Sequence, residues 1–254
     1  MIVRVIGGHG GVSPGYKVTS YLVDGQLLID AGSVAEGIMI EEQIKIDYIL
    51  LSHSHLDHIK DIAFLCDNCF GHRQKPFEVY ADDEVKKAIT THLMNDIIWP
   101  DFSKLPNKNN PTIRFFGTHP EKAVQLEDFN ILPVPVNHPC NSMGFILEKK
   151  DKAIVFTQDT GPTERIWELA KGYKNLKAIF TEVSFPNFMQ KIATNSFHHT
   201  PNSIKEEIKK MPKDVPIFVG HLKPNFQTLL YKEIGEIGND RIVVLGSDDQ
   251  SYLL

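Results

Sequence analysis

Leu51-Ser52-His53-Ser54-His55-Leu56-Asp57-His58 follows the apolar run Tyr48–Leu51 and places three imidazoles and a carboxylate within six residues. The run has strand length, so the His-rich stretch leaves a strand end, where a rigid element aims loop side chains. Burying that many polar rings is costly unless something satisfies their nitrogens and oxygens. A divalent metal does so, because imidazole and carboxylate are the usual ligands of zinc and related ions. His53 and His55 can point to one side of an extended segment, which leaves Asp57 and His58 to approach a second ion from the turn. A solvated loop that is rich in His by chance is the competing reading.

Outward from this stretch, the 254 residues are 42% hydrophobic and 23% charged, an ordinary globular composition that excludes disordered, collagen-like and coiled-coil classes. Lys and Arg number 27 against 32 Asp and Glu, a net charge of −5, which disfavours nucleic acid as a partner. Three cysteines are too few for a disulfide framework and point to a reducing compartment. No apolar run approaches the ~18 residues of a membrane span. The opening Met1–Gly11 lacks the h-region of about 7–15 apolar residues that marks a signal peptide, so a cytoplasmic location is expected. Strand-length apolar runs recur from Ile2–Ile6 to Ile242–Leu245, and most end at Gly, Pro, Asp or Asn. Helical windows lie at Asp82–Ile98, Thr163–Leu169 and Pro201–Lys210, the last with Thr200 as N-cap and Pro201 at the first helical position. Pro106–Pro111 reads as an exposed loop. Many strands with interspersed helices indicate an α/β (α+β) protein, and no linker divides the chain, so residues 1–254 read as one domain.

The His53–His58 stretch has the form H-x-H-x-D-H and resembles the metallo-β-lactamase superfamily. Later strand ends supply the further residues of that pattern: His138 after Ile131–Val136, Asp159 after Ala153–Phe156 and His221 after Ile217–Val219. The resemblance implies a four-layer αβ/βα sandwich, with two sheets face to face and helices outside. It implies that His53, His55 and His138 hold one divalent ion, that Asp57, His58 and His221 hold another, and that Asp159 bridges them. It gives Asp30, in Leu28-Ile29-Asp30-Ala31-Gly32, the role of supporting the metal loop without ligating. The chemistry implied is hydrolysis by a metal-bridging hydroxide, with Asp57 orienting it. Zinc, manganese and iron suit such ligands alike, and zinc is the expected ion.

Downstream, Thr181-Glu182-Val183-Ser184, Phe197-His198-His199-Thr200-Pro201 and Gly220-His221-Leu222-Lys223-Pro224 resemble the phosphodiesterase branch of the superfamily. There an intermediate His contacts the phosphate or protonates the leaving group, oriented by an acidic residue. The resemblance assigns these roles to His199 and Glu182, with His198 as the competitor of His199. Imidazole suits a general acid near neutral pH. Other segments resemble class II 3′,5′-cyclic-nucleotide phosphodiesterases: the Gly-rich opening Gly7–Gly11, Asn95-Asp96-Ile97-Ile98-Trp99-Pro100-Asp101-Phe102, Ser142-Met143-Gly144-Phe145 and Asp159-Thr160-Gly161-Pro162. This likeness implies Asn95, Trp99, Asp101 and Ser142 as substrate contacts and a cyclic nucleotide, cAMP or cGMP, as the small-molecule substrate. A tRNA 3′-processing endonuclease is the alternative, although no basic extension for a polyanion is present. Gly7–Gly11 fits either a phosphate-binding turn or a merely tight one. Cys66-Asp67-Asn68-Cys69 with His72 offers three ligands and no second Cys pair, too few for a structural zinc site. Relatives often dimerise, and a homodimer is compatible with the chain.

Overall fold

The computed structural model describes residues 1–245 and 249–254. Two compact units emerge, interleaved along the chain. The first comprises Met1–Gly7, Lys17–Thr118 and the C-terminal strand Gln250–Leu253; the second comprises Gly8–Tyr16 and most of the chain after His119.

The first unit is built on strands β1 (Ile2–Gly7), β2 (Ser20–Val23), β3 (Leu27–Ile29), β4 (Tyr48–Leu50) and β5 (Phe77–Ala81), with a small hairpin β6 (Pro106–Asn107) and β7 (Asn110–Pro111), then β8 (Ile113–Gly117). Its seven-stranded sheet runs from Gln250–Leu253 through β1, β2, β3, β4 and β5 to β8. Pairing is antiparallel as far as β3 and parallel from β3 to β8. Strands β3 and β4 are buried along their whole length, as expected of parallel strands, and the antiparallel β2 beside them is equally buried. Leu28, Ile49, Val79 and Phe77 pack with Ile62, Leu65, Cys66 and Cys69 of the helix Asp61–Cys69.

The second unit carries β9 (Val124–Leu126), β10 (Phe129–Pro135), β11 (Met143–Lys149), β12 (Lys152–Phe156), β13 (Leu176–Glu182), β14 (Ile217–Gly220) and β15 (Ile242–Val244). These form a second seven-stranded sheet in strict chain order, antiparallel from β9 to β12 and parallel from β12 to β15. Ile146, Val155, Ile179 and Val219 meet Trp167, Ile204, Leu230 and Ile234 from the helices of this unit. The fold class is the expected one: mixed α/β, with two large mixed sheets and helices.

Local sequence explains where the helices stop. The window Asp82–Ile98 is not one helix: Asp82 caps Asp83–Ala88 by accepting from the Glu84 N–H, a wider π-type turn follows over Ile89–Leu93, and the chain then unwinds. Asn95 causes the break, because its side chain donates to the Thr91 carbonyl and accepts from the N–H groups of Ile97 and Ile98, replacing helical bonds. Pro201–Glu207 begins as expected, with Thr200 and Ser203 capping each other's backbone N–H. Pro106–Pro111 is mostly exposed, as expected, but closes on itself as the β6–β7 hairpin. Among the described residues, no helix is long and apolar enough to cross a membrane.

Candidate metal centre

In the first unit the polar residues lie just beyond the carboxyl ends of parallel strands, the usual location of sites in such sheets. Asp30 leaves β3 in the left-handed backbone region, φ 56°, and is fully buried. Strained backbone of this kind persists where surrounding contacts hold it. Here one Asp30 oxygen accepts from the Ser52 N–H at 2.8 Å, and the other lies 2.7 Å from the Ser52 hydroxyl and 2.6 Å from His58 Nδ1. The same hydroxyl is 2.9 Å from His53 Nδ1. A carboxylate accepts only, so the Ser52 proton goes to Asp30, and the hydroxyl oxygen accepts the Nδ1 proton of His53. Both His53 and His58 are thereby held as the tautomer whose Nε2 bears a lone pair. The His53 ring lies 4.6 Å from that of His55 and 4.2 Å from that of His58, and His58 Nε2 is 4.0 Å from an Asp57 oxygen. Lone-pair nitrogens converging beside a carboxylate form a donor set suited to a divalent cation. Gly32 is required nearby, since a Cβ on it would fall 2.1 Å from the Asp57 carbonyl.

The second unit carries the other residues of the expected set. His138 follows β10 and donates from Nδ1 to the Phe197 carbonyl at 3.0 Å, which again leaves Nε2 as the ligating atom. Asp159 follows β12, preceded by Gln158 at φ 53°. His221 leaves β14 at φ 60°, with its Nε2 3.2 Å from an Asp159 oxygen and its Nδ1 2.8 Å from the Ser184 hydroxyl. Donor atoms of His138 and of His221 each lie within 4.8 Å of Asp159. The Gly-rich opening grips His221: Gly8 accepts its backbone N–H at 2.6 Å, and a Cβ on Gly10 would fall 2.7 Å from its Nδ1. Neither a phosphate-binding turn nor a merely tight one describes this use of Gly10, whose lack of a Cβ admits the His221 ring.

Glu182, buried at the end of β13, gathers the neighbouring groups. Its Oε1 lies 2.9 Å from His198 Nδ1 and accepts the His199 backbone N–H at 3.2 Å, while its Oε2 accepts the Ser184 hydroxyl at 2.9 Å. This corrects the expected pairing of Glu182 with the His199 side chain. The His199 ring turns the other way, 3.0 Å from the Ser203 hydroxyl at the start of Pro201–Glu207, and is fully buried, whereas His198 keeps 8% exposure. Its place directly before the Thr-Pro helix start is what draws His199 onto that helix. The His198 ring instead packs 4.9 Å from His138 and 5.5 Å from His221. Burial pushes the His198 imidazole down, but the charge of Glu182 and the hydrogen bond to it more than offset this, so its pKa lies above the ordinary value. Burial also pushes Glu182 up, and the His198 partner carries it below the usual range. His199 is lowered, because for it burial outweighs the attraction of Glu182.

The expected substrate contacts divide between the units. Asn95, Trp99 and Asp101 share one loop of the first unit. Asn95 spends its polar atoms on the turn, and the Trp99 ring lies 4.9 Å from Phe64. Asp101 is buried, accepting from the Ser103 N–H and hydroxyl and pairing with Lys104 at 2.6 Å. Ser142, in the second unit, donates to the Pro139 carbonyl. Cys66 and Cys69 belong to the core of the first unit, where burial raises both thiols, Cys69 to about 11, and His72 is exposed. Sequence reasoning passed over Ser52 and Ser184; the available signal was a hydroxyl beside His53 and two residues after Glu182.

Residues 27–221 match the Beta-lactamase superfamily domain. The chain belongs to this superfamily. No curated protein sequence matches it. Among solved structures, unliganded yeast PDE1 is similar over 100% of this chain and 99% of its own, with a TM-score of 0.83 at 15% identity. The metallo-β-lactamase fold protein YhfI from Bacillus subtilis is similar over 99% of both chains, with 0.77 at 20% identity. The short form of human tRNase Z, ELAC1, is similar over 100% of this chain and 99% of its own, with 0.69 at 16% identity. At these identities the likeness concerns the fold, which is that of the metallo-β-lactamases.

Proposed function

We propose that this member of the superfamily is a metal-dependent phosphodiesterase that opens 3′,5′-cyclic nucleotides to 5′-monophosphates. The observation that carries this reading is the Glu182–His198 pair, with the His198 ring packed beside His138 and His221. A thiolate leaves a thioester without a proton, whereas expulsion of a sugar alkoxide needs a proton donor. The metal ligands we assign are His53, His55 and His138 for one ion, Asp57, His58 and His221 for the other, and Asp159 between them. Zinc is the ion we assign to both sites. Two such ions would supply an activated water and neutralise charge on the phosphoryl oxygens.

The chain's own residues do the rest. Asp57 orients the attacking water through its second carboxylate oxygen. Glu182 fixes the His198 ring by its Nδ1, so that Nε2 is the atom that hands a proton to the departing 3′-oxygen as the P–O3′ bond breaks. The role first assigned to His199 therefore passes to His198. The loop carrying Asn95, Trp99 and Asp101 resembles the element beside the nucleotide pocket in class II phosphodiesterases. With the other polar atoms spent on the turn, the Trp99 ring is the group in it suited to a base. We place the protein in the cytoplasm and assign it a small-molecule substrate. The net charge of −5 favours such a substrate over precursor tRNA, the alternative that the likeness to human tRNase Z raises.

The test is incubation of zinc-loaded protein with cAMP and cGMP, with separation of the products and Asp57→Ala as the blank. Release of the 5′-monophosphate by the wild type alone is expected. No product from fully loaded protein, together with cleavage of precursor tRNA, would transfer the assignment to the endonuclease.

A further inference from the structure

We infer that Ser184 is a positioning residue that ties the metal ligand His221 to the Glu182–His198 pair. Its hydroxyl is fully buried and lies 2.8 Å from His221 Nδ1, 2.9 Å from Glu182 Oε2 and 3.2 Å from His198 Nδ1. A hydroxyl has one proton to give and lone pairs to receive. Glu182 can only accept, so the Ser184 proton points at Glu182, and the hydroxyl oxygen accepts the His221 Nδ1 proton. That arrangement holds His221 as the tautomer with its lone pair on Nε2, the atom facing Asp159. The backbone holds Ser184 in place: its N–H donates to the His199 carbonyl at 3.0 Å, and its carbonyl accepts from the Lys223 N–H.

Ser52 supports the inference independently, because the first unit repeats the device. There a buried serine oxygen accepts from His53 Nδ1 and gives its proton to Asp30, and Asp30 also holds the second imidazole, His58. The difference that matters here is where the second imidazole belongs. His58 is a ligand in the proposed centre and His198 is the proposed proton donor, so Ser184 links metal holding to proton delivery. The second half of this inference rests on the function proposed above; the first half does not.

The experiment is a competition of the zinc-loaded full chain against a chelator for wild type, Ser184→Ala and Ser184→Thr, followed by turnover of cAMP at saturating zinc. Ser184→Ala is expected to release one of two zinc ions about 10–100-fold more readily, with threonine restoring retention because it keeps the hydroxyl. At saturating zinc, alanine should lower kcat and leave KM in place. Wild-type zinc retention in Ser184→Ala, or an equal loss in Ser184→Thr, would overturn the inference; the threonine variant decides it alone if the alanine variant does not fold. The zinc measurement needs no substrate, so an enzyme inactive on cyclic nucleotides would remove the proposed function and leave this result to stand by itself.

Discussion

The two units solve one problem with the same parts and different endings. Each sheet is antiparallel on one side and parallel on the other, and each sends polar residues from the carboxyl ends of its strands. In each, a buried serine lies between the Nδ1 of a histidine and a buried carboxylate that also binds a second imidazole. In the first unit all three histidines of the stretch belong to the proposed ligand set. In the second unit the carboxylate is paired with His198, which the proposed ligand set leaves out. The lesson is that a carboxylate beside a histidine can fix a ligand or prepare a proton donor, and that the surroundings of the second ring decide which.

Substitutions at the two carboxylates should separate these uses. Glu182→Gln leaves His198 without a charged partner and should lower kcat at saturating zinc by about 10²–10⁴-fold, the range for loss of a positioned acid, while zinc retention falls less than in the Asp30 variant, because only His221 is tied to Glu182 through Ser184. Asp30→Asn acts on the other side of the comparison. It should weaken zinc retention by about 10–100-fold, read by chelator competition, because His53 and His58 both lose their fixed tautomers through one change. Equal effects of the two variants on zinc would erase the distinction between the units. A smaller effect is expected of Gly10→Ala: its methyl group would press on the His221 ring, and the overpacking should cost about 1–3 kcal/mol in chemical denaturation.

Much of this was legible in the chain. The His53–His58 stretch announced a metal, and the apolar runs before Asp30, His138, Asp159 and His221 placed each residue at or just after a strand end, which is where they lie. Thr200 and Pro201 marked a helix start that forms with reciprocal caps. What could not be read was side-chain direction. His198 and His199 are adjacent and chemically identical, and it is the folded chain, with Phe197 at φ 56° and the Ser203 hydroxyl beside His199, that shows which ring reaches Glu182. The helix expected over Asp82–Ile98 failed for a related reason, since apolar spacing does not reveal that Asn95 will bond its own backbone. The serines were hidden because a lone Ser in a loop has many uses, and its role here comes from partners distant in sequence.

In the proposed mechanism His198, held by Glu182, delivers the proton. The measurement that tests it most directly compares His198→Ala with His199→Ala at matched zinc content, using cAMP and an analogue with a good 3′ leaving group that needs no proton. The account predicts that His198→Ala loses about 10²–10⁴-fold in kcat on cAMP and recovers most of it on the analogue, while His199→Ala changes little on either. A full loss in His199→Ala that the analogue rescues, with His198→Ala near wild type, would contradict it.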